Sequence, residues 1–252
     1  MGIRSSVLVA IVAVAICVAV VVGILVLAAP RPQGDGSVAV DVARYATEAP
    51  LVRASEPPAV GVAGLAAADW IAAVAKATGI PPRALQAYAG VAIQVQDAGS
   101  GCGIGWNTLA GIGEIESRHG QIFGGSIDVS GLVAPPIYGV PLDGGAVANI
   151  PDSDKGAIDG DSTIDRAVGP MQLIPESWRN WHTDANGDGV EDPQNIDDAT
   201  MAAAHYLCRA GGQKLGTESG WRTAVLAYNG SGRYLSDVIR YADGYAKAAR
   251  SR

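Results

Sequence analysis

Apolar residues recur at helical spacing along most of the chain after residue 64. The first such stretch runs from Ala66 to Ala77, and Gly79 follows it as a helix stop. Pro81-Pro82 opens a second stretch, since proline suits the first turn of a helix. A third runs from Trp106 to Ser117. Helical spacing then resumes in four later segments, Pro175–Trp181, Asp197–Ala210, Gly220–Tyr228 and Gly232–Ala249.

Residues 121–164 interrupt this helical pattern. Gly, Pro, Asp and Ser are frequent there, and apolar residues occur only in short patches such as Leu132-Val133. Long connections of this kind in a compact domain are usually functional or mobile. No strand pattern in the chain is convincing, so β structure should be short and confined to the loops. The sequence therefore predicts one mainly α globular domain over 65–252.

The first 29 residues indicate a membrane anchor. Arg4 precedes an uncharged run from Val7 to Ala29, and a bilayer crossing needs about 20 apolar residues. The alternative is a cleaved signal peptide, which has a shorter apolar core and an A-x-A-like site. The run is longer than such a core, and Leu27-Ala28-Ala29-Pro30 is a poor cleavage site, which favours the anchor over a cleaved signal. We therefore expect a single-pass signal anchor over 1–29, with the rest of the chain on the extracytoplasmic side of the cell membrane.

Residues 30–64 separate this anchor from the predicted domain. The segment is rich in Pro, Ala and Val, and Pro32, Pro50, Pro57 and Pro58 interrupt any helix. We predict a flexible, extended tether over 30–64.

Charge and cysteine content narrow the classes of function. The net charge is −7 and no Lys/Arg cluster is present, so nucleic-acid binding is not expected. Cys102 and Cys208 fall in the predicted domain, and export would favour a disulfide between them. Two separate buried thiols are the alternative. The sequence carries no motif for an organic cofactor, and none is expected.

The third predicted helix carries two glutamates with different surroundings. A helix turns about 100° per residue, so Glu114 and Glu116 point to nearly opposite sides. Leu109 and Ile112 share the side of Glu116, which therefore borders the apolar face. Burial there would raise its pKa, as a general acid near neutral pH requires. The alternative is a solvated helix end, with Glu114 and Arg118 as an i,i+4 ion pair.

Three segments, in order, carry a resemblance to a known family. They are Gly113–Gly120 (GEIESRHG), Arg166–Pro175 (RAVGPMQLIP) and Ala227–Tyr234 (AYNGSGRY). Together they resemble the signatures of lytic murein transglycosylases, specifically the membrane-bound lytic murein transglycosylase B-like family of actinobacterial type. The resemblance extends over about 66–246. His119 departs from it, because an aromatic residue such as Trp is frequent there.

This resemblance implies an α+β lysozyme-like fold and peptidoglycan glycan strands as the substrate. Glu116 would protonate the bond between N-acetylmuramic acid and N-acetylglucosamine, then act as a base while the sugar's own 6-hydroxyl closes a 1,6-anhydro ring. The usual second carboxylate of glycosidases is then unnecessary. The implied substrate-binding residues are Ser117, Arg166, Met171, Gln172, Tyr228, Asn229 and Tyr234.

Several alternatives remain at this level. Gln172 could instead satisfy loop backbone, and Tyr228 could be a core aromatic. A lysozyme-like muramidase that uses water, or a non-catalytic glycan-binding protein of the cell envelope, would also fit parts of the pattern. The anchor and substrate further suggest membership of a cell-envelope protein complex.

The segment 184–192 (DANGDGVED) matches the first half of an EF-hand loop. Position 12 of the loop is Asn195, where the pattern expects a bidentate Glu. In the family that the chain resembles, a later aspartate at a helix start closes such a loop, and Asp198 fits that place. The alternative is a turn whose side chains cap backbone amides. We predict a structural Ca²⁺ with these ligands: Asp184, Asn186, Asp188, Val190 (through its carbonyl) and Asp198.

Overall fold

The computed structural model describes residues 50–145 and 148–251. The predicted anchor at 1–29 and the tether up to residue 49 lie outside the described residues. Within 50–145 and 148–251, no helix is both long and apolar enough to cross a membrane.

Seven α-helices form the body of the described part of the chain. Glycine and proline mark helix ends as the sequence suggested, because Gly79 adopts a left-handed conformation after the first helix and Pro82 opens the second. The predicted mainly α fold is therefore confirmed. The helices are α1 Ala68–Thr78, α2 Pro82–Asp97, α3 Trp106–Ser117, α4 Pro175–Trp181, α5 Ile196–Ala210, α6 Glu218–Tyr228 and α7 Gly232–Arg250.

Short antiparallel strands lie between α3 and α4, where the helical pattern stops. Strand β1, Ser126–Ile127, pairs with β2, Val133–Ala134. Strand β3, Tyr138–Pro141, pairs with β4, Arg166–Val168, across a register shift. Most of the β structure therefore falls in or beside the Gly- and Asp-rich connection, as predicted.

Helix α3 lies in the centre of the domain, between α2 and α7. Every residue from Trp106 to Gly113 is buried. At Gly113 an added Cβ would lie 2.1 Å from the Tyr88 hydroxyl of α2, so only glycine allows this approach. On the opposite side, Asn107 Nδ2 donates to the Ala242 carbonyl of α7 at 3.1 Å. The end of α3 is consequently held in a fixed position.

Cys102 and Cys208 form the predicted disulfide, with Cα atoms 5.4 Å apart. The bond joins the segment before α3 to the last turn of α5, across 106 residues of sequence. Next to it, Leu215 N donates to the Cys102 carbonyl at 2.7 Å.

Packing begins earlier in the chain than the predicted domain boundary at residue 65. Ala67 N donates to the Val52 carbonyl at 2.8 Å, so the segment before α1 folds back along it. Val62 is fully buried against α2, where an added Cβ at Gly90 would lie 2.0 Å from its carbonyl oxygen. Residues 50–64 therefore belong to the folded part. The prolines there shape turns on the domain surface, which the sequence pattern did not distinguish from a tether.

Candidate active site

A cleft of about 710 Å³ opens beside the C-terminal end of α3. Its walls come from the loop after α3, from β3 and β4, and from the junction of α6 and α7. The sequence-predicted residues that line it are Glu116, Arg166, Gln172, Tyr228, Asn229 and Tyr234. The fold thus brings three separated sequence segments to one surface.

Glu116 stands in the last turn of α3, partly buried at the base of this cleft. Burial raises the pKa of its carboxyl group to about 7, because few solvent molecules can stabilise the charged form. The Tyr234 hydroxyl donates to Oε1 at 2.6 Å and opposes part of that rise. The carboxyl group is therefore close to half protonated at neutral pH.

Glu114 faces away from Glu116, as helical geometry predicts. Its Oε2 lies 3.1 Å from His119 Nε2. A hydrogen bond from His119 lowers the pKa of Glu114, in spite of partial burial. The two glutamates of α3 therefore have opposite pKa shifts and separate surroundings.

The backbone turns sharply after α3, which fixes the end of the helix that carries Glu116. Arg118, His119 and Gly120 all have positive φ values, 53°, 57° and 80°. The turn directs His119 into the core, where Nδ1 lies 3.1 Å from the Tyr88 hydroxyl and Nε2 lies 3.0 Å from that of Tyr245. His119 thus has a structural role in the core. In the family that the chain resembles, an aromatic residue is frequent at this position.

Tyrosines from α6 and α7 form the wall beside Glu116. The rings of Tyr228 and Tyr234 stack with centroids 6.5 Å apart and planes at 11°. The Tyr228 hydroxyl donates to the Met171 carbonyl at 2.5 Å, which orients the ring. Burial, together with the nearby Glu116 carboxyl, raises the pKa of both tyrosines well above the usual value, so both hydroxyls remain donors.

Gln172 and Asn229 contribute amide groups to the cleft. Gln172 has a left-handed backbone, with φ of 50°, and its Nε2 donates to the Gly169 carbonyl at 2.9 Å. Asn229 ends α6, and its Oδ1 accepts from Ser231 N at 3.1 Å. Both side chains are ordered by the backbone and line the cleft.

Ser117 and Met171 occupy other positions than predicted. Ser117 is fully buried, and its Oγ donates to the Pro170 carbonyl at 2.7 Å and accepts from Gly120 N at 2.8 Å. Met171 is also fully buried, in the main hydrophobic core. Neither side chain has exposed surface for a sugar, so their predicted contacts with substrate are wrong. Ser117 connects α3 to the loop that carries Gln172.

Arg166 lines the cleft but is already bound to a neighbouring carboxylate. Its Nη2 and Nε lie 3.0 and 3.2 Å from Asp161 Oδ2. Hydrogen bonds from Thr163, followed by the one from Arg166, lower the pKa of Asp161 to about 2. A substrate carboxylate would therefore have to share the guanidinium with Asp161.

Sequence reasoning missed several residues of the cleft. Within the described ranges, Glu116 and Asp237 are the acidic residues that line it. Asp237 pairs with Arg240 at 2.9 Å and more loosely with Arg233, at 3.8 Å. Because Asp237 follows Tyr234 by three residues on α7, helical periodicity could have identified it.

The aspartate-rich loop folds around its own carboxylates. Asp184 Oδ1 accepts from Gly187 N at 2.7 Å, and Asp188 Oδ1 accepts from Val190 N at 2.8 Å. Asn186 Nδ2 donates to Asp188 Oδ2 at 2.8 Å. Asn195, at the twelfth position, instead caps α5 by accepting from Asp197 N.

Asp198 closes this loop from the first turn of α5. Its two oxygens accept from Ala185 N at 2.7 Å and from Asp192 N at 3.0 Å, so it joins both ends of the loop. Burial, with a contribution from Asp184, raises the pKa of Asp198 to about 6 against these hydrogen bonds. The side chains of the loop offer oxygen ligands, the type that Ca²⁺ prefers. Within the described ranges, however, Asp184, Asp188 and Asp198 do not bring their carboxylates within 4.8 Å of one another, and these groups accept hydrogen bonds from the loop's own amides.

Residues 153–243 match the family model described as "Transglycosylase SLT domain". The matched stretch contains Gln172, Tyr228, Tyr234 and the aspartate loop, whereas Glu116 lies before it. No curated protein matches the chain, and no solved structure matches it. Together with the mainly helical fold, the family match supports a lytic transglycosylase of the lysozyme-like superfamily, with peptidoglycan as its substrate.

Proposed function

We propose that this protein cleaves the β-1,4 bond between N-acetylmuramic acid and N-acetylglucosamine and releases a 1,6-anhydro product. The observation that carries the proposal is the state of Glu116. A carboxyl group with a pKa of about 7 lies in an open cleft and accepts one hydroxyl hydrogen bond. Such a group can give a proton and take one back near neutral pH.

The reaction has two steps at the same carboxyl group. Protonated Glu116 first gives its proton to the glycosidic oxygen, and the bond from that oxygen to the anomeric carbon breaks. The carboxylate then takes the proton of the muramyl 6-hydroxyl, whose oxygen bonds to the anomeric carbon. Glu116 is protonated again, water is not consumed, and the substrate's 2-acetamido group assists at the anomeric carbon.

The neighbouring residues suit the positioning of sugars against Glu116. Tyr234 donates to the carboxylate that the first step leaves behind, and it stabilises that charge. Tyr228, Gln172 and Asn229 present aromatic and amide surface along the same cleft. Their backbone hydrogen bonds reduce the entropy lost when a strand binds.

Hydrolysis by a lysozyme-like mechanism is the second possibility, and Asp237 is the observation that bears on it. A hydrolase needs a second carboxylate to act on water or on the sugar. Asp237 lines the cleft, yet its carboxylate is paired with Arg240 and Arg233. We therefore expect Asp237→Asn to retain strand cleavage and its products.

Mass spectrometry of digested peptidoglycan separates the two reactions. The transglycosylase proposal requires 1,6-anhydro-muramyl ends, which are lighter by one water than reducing ends. If reducing ends were the only new termini, and Asp237→Asn no longer formed them, hydrolysis would be established instead.

Glu116→Gln tests whether the protein is an enzyme at all. Gln can accept the Tyr234 hydrogen bond but cannot donate an acidic proton, so cleavage should fall by at least about 1000-fold. Binding to purified glycan strands should persist. Unchanged cleavage would exclude Glu116 as the catalytic residue. If the wild type bound strands without cutting them, the remaining hypothesis would be a non-catalytic glycan-binding protein of the cell envelope.

Two further expectations belong to this proposal. A structural Ca²⁺ would be held by the oxygen atoms of the 184–198 loop, with Asp198 closing it. It would stabilise the loop against the repulsion of its aspartates. A signal anchor over 1–29 would place the cleft on the extracytoplasmic side of the cell membrane, where peptidoglycan lies. Carbonate-resistant membrane association, lost when residues 1–29 are deleted, would support the anchor.

A further inference from the structure

Phe123 is the only phenylalanine of the chain, and it is 77% exposed. It lies in the 3-10 turn Ile122–Gly124, directly after the helix that carries Glu116. Its φ and ψ of 60° and 22° are left-handed, a conformation that residues with a Cβ rarely adopt. The fold therefore keeps an aromatic ring in solvent on a strained backbone. Strain of this kind persists most often at functional sites.

Part of the exposed apolar surface lies at the cleft. Eight large apolar residues of the described ranges are exposed, and Phe123, Tyr138 and Val140 line the cleft. Phe123 and Tyr138 are the two aromatic residues of this set, at 77% and 45% exposure. An exposed aromatic side chain that lines a pocket offers apolar surface to a ligand there.

The two aromatics come from separate segments that the fold brings to one cleft. Tyr138 begins β3, whose pairing with β4 fixes it opposite Val168. The turn with Phe123 is fixed by hydrogen bonds from Gly124 N to the Gln121 carbonyl and from Gly125 N to the Ile122 carbonyl, at 3.2 and 3.1 Å. The backbone that carries each ring is thus ordered before any ligand binds.

We propose that Phe123 and Tyr138 bind pyranose rings of the glycan strand, at sugar positions beside the bond that Glu116 cleaves. This inference rests on the proposed function. Each β-linked pyranose ring has a face of C–H bonds that is apolar and flat enough to stack on an aromatic ring. Stacking would cover the surface that is otherwise exposed to water.

Aromatic stacking that does not touch the reacting atoms contributes to binding more than to chemistry. An interaction that is equal in the ground state and the transition state raises KM when it is lost and leaves kcat nearly unchanged. Variants of Phe123 and Tyr138 should therefore bind long strands, which reach these residues, with lower affinity.

Phe123→Gly is the most informative variant, because glycine tolerates the left-handed backbone. The variant should fold with an unchanged or higher melting temperature, so a loss of binding cannot be assigned to unfolding. Gln213→Gly is the matched control. Gln213 is also exposed, with φ of 60°, but it does not line the cleft.

The experiment measures binding of peptide-free glycan strands of defined length, by calorimetry, to the full chain with Glu116→Gln. We expect Phe123→Gly to raise Kd about tenfold, which equals 1.4 kcal/mol. Tyr138→Thr should raise Kd in the same direction, Phe123→Tyr should restore binding, and Gln213→Gly should leave it unchanged. A Kd within about twofold of the parent for both Phe123→Gly and Tyr138→Thr would overturn the inference.

Failure of the proposed function gives a different result. If the parent Glu116→Gln chain binds no strand, the function and the stacking inference both fall. If the parent binds but the wild type yields only reducing ends, the transglycosylase proposal fails. The stacking inference is then judged by its own Kd values.

Discussion

The protonation of Glu116 is set by two opposing contacts at the scale of single residues. Burial at the base of the cleft raises its pKa to about 7, and the Tyr234 hydroxyl limits the rise by stabilising the charged form. A two-step reaction needs this balance, because the same group must first donate a proton and then accept one.

Tyr234→Phe should shift the pH dependence of cleavage. Removing the hydroxyl removes the contact that lowers the pKa of Glu116, so the carboxyl group should stay protonated to higher pH. The alkaline limb of the pH profile of kcat/KM should move to higher pH by roughly one unit, and the maximal rate should fall. Tyr241→Phe on the same helix, away from the cleft, is the control. A limb that moved to lower pH would contradict this account.

Glu116→Gln should stabilise the fold at alkaline pH. The folded-state pKa of Glu116 lies above its usual value of 4.5, so ionisation opposes folding. That cost is absent below about pH 4.5, grows through the interval and is complete above about pH 7, where it is on the order of 3 kcal/mol. Chemical denaturation should thus show a stabilising effect at about pH 8 and almost none at about pH 4. Equal effects at both would disprove the pKa shift.

At the scale of elements, helix packing fixes part of the Gly- and Asp-rich connection between α3 and α4. Arg83 in the first turn of α2 forms a bidentate ion pair with Asp197 of α5, whose carboxylate is buried. The same guanidinium donates to the carbonyls of Val129 and Ser130, at 3.2 and 3.3 Å. One side chain therefore joins two helices to the loop between β1 and β2.

Arg83→Ala should cost about 3 kcal/mol of unfolding free energy, because Asp197 would remain buried without its partner. Arg53→Ala is the control, since the side chains of Arg53 and Asp97 are 45% and 57% exposed and their ion pair should contribute little to stability. Urea denaturation compares the two. Equal losses of unfolding free energy in the two variants would contradict the role assigned to burial.

At the scale of the whole molecule, one covalent link and one acidic loop connect distant parts of the chain. The disulfide spans 106 residues of sequence. The loop at 184–198 contacts the N-terminal segment, because Val62 N donates to the Ala185 carbonyl at 3.0 Å. The stability of the domain should therefore depend both on the oxidation state of the two cysteines and on the order of the loop at 184–198.

Replacing Cys102 and Cys208 together with Ala should lower the unfolding free energy by about 4 kcal/mol, mainly through a larger entropy of the unfolded chain. Reduction of the wild type should have a similar effect in denaturation experiments. A double variant as stable as the oxidised protein would show that the bond contributes nothing to stability.

Calcium should raise the melting temperature of the folded protein. At a free concentration of about 100 times Kd, binding to the native state alone would add about 2.7 kcal/mol. The double variant Asp184→Asn/Asp188→Asn should lose this response. If excess chelator left the wild-type melting temperature unchanged after calcium loading, Ca²⁺ would not be a resident ligand.

Helical periodicity was enough to predict α3 and the separation of Glu114 from Glu116, and the expected export was enough to predict the cysteine pair. They were not enough to predict which of two neighbouring residues lines the cleft. Met171 and Gln172 are neighbours, yet only Gln172 lines the cleft, because its left-handed backbone turns the chain there. Local pattern cannot show such a turn.

The sequence by itself determined which segments are helical and which glutamate borders an apolar face. Those properties depend on local periodicity and on residue type. Tertiary structure alone decided that Ser117 is buried, that Tyr234 donates to Glu116, and that Phe123 lies at the cleft. These depend on contacts between residues far apart in the chain, where packing of α3 against α7 and closure of the loops set the distances.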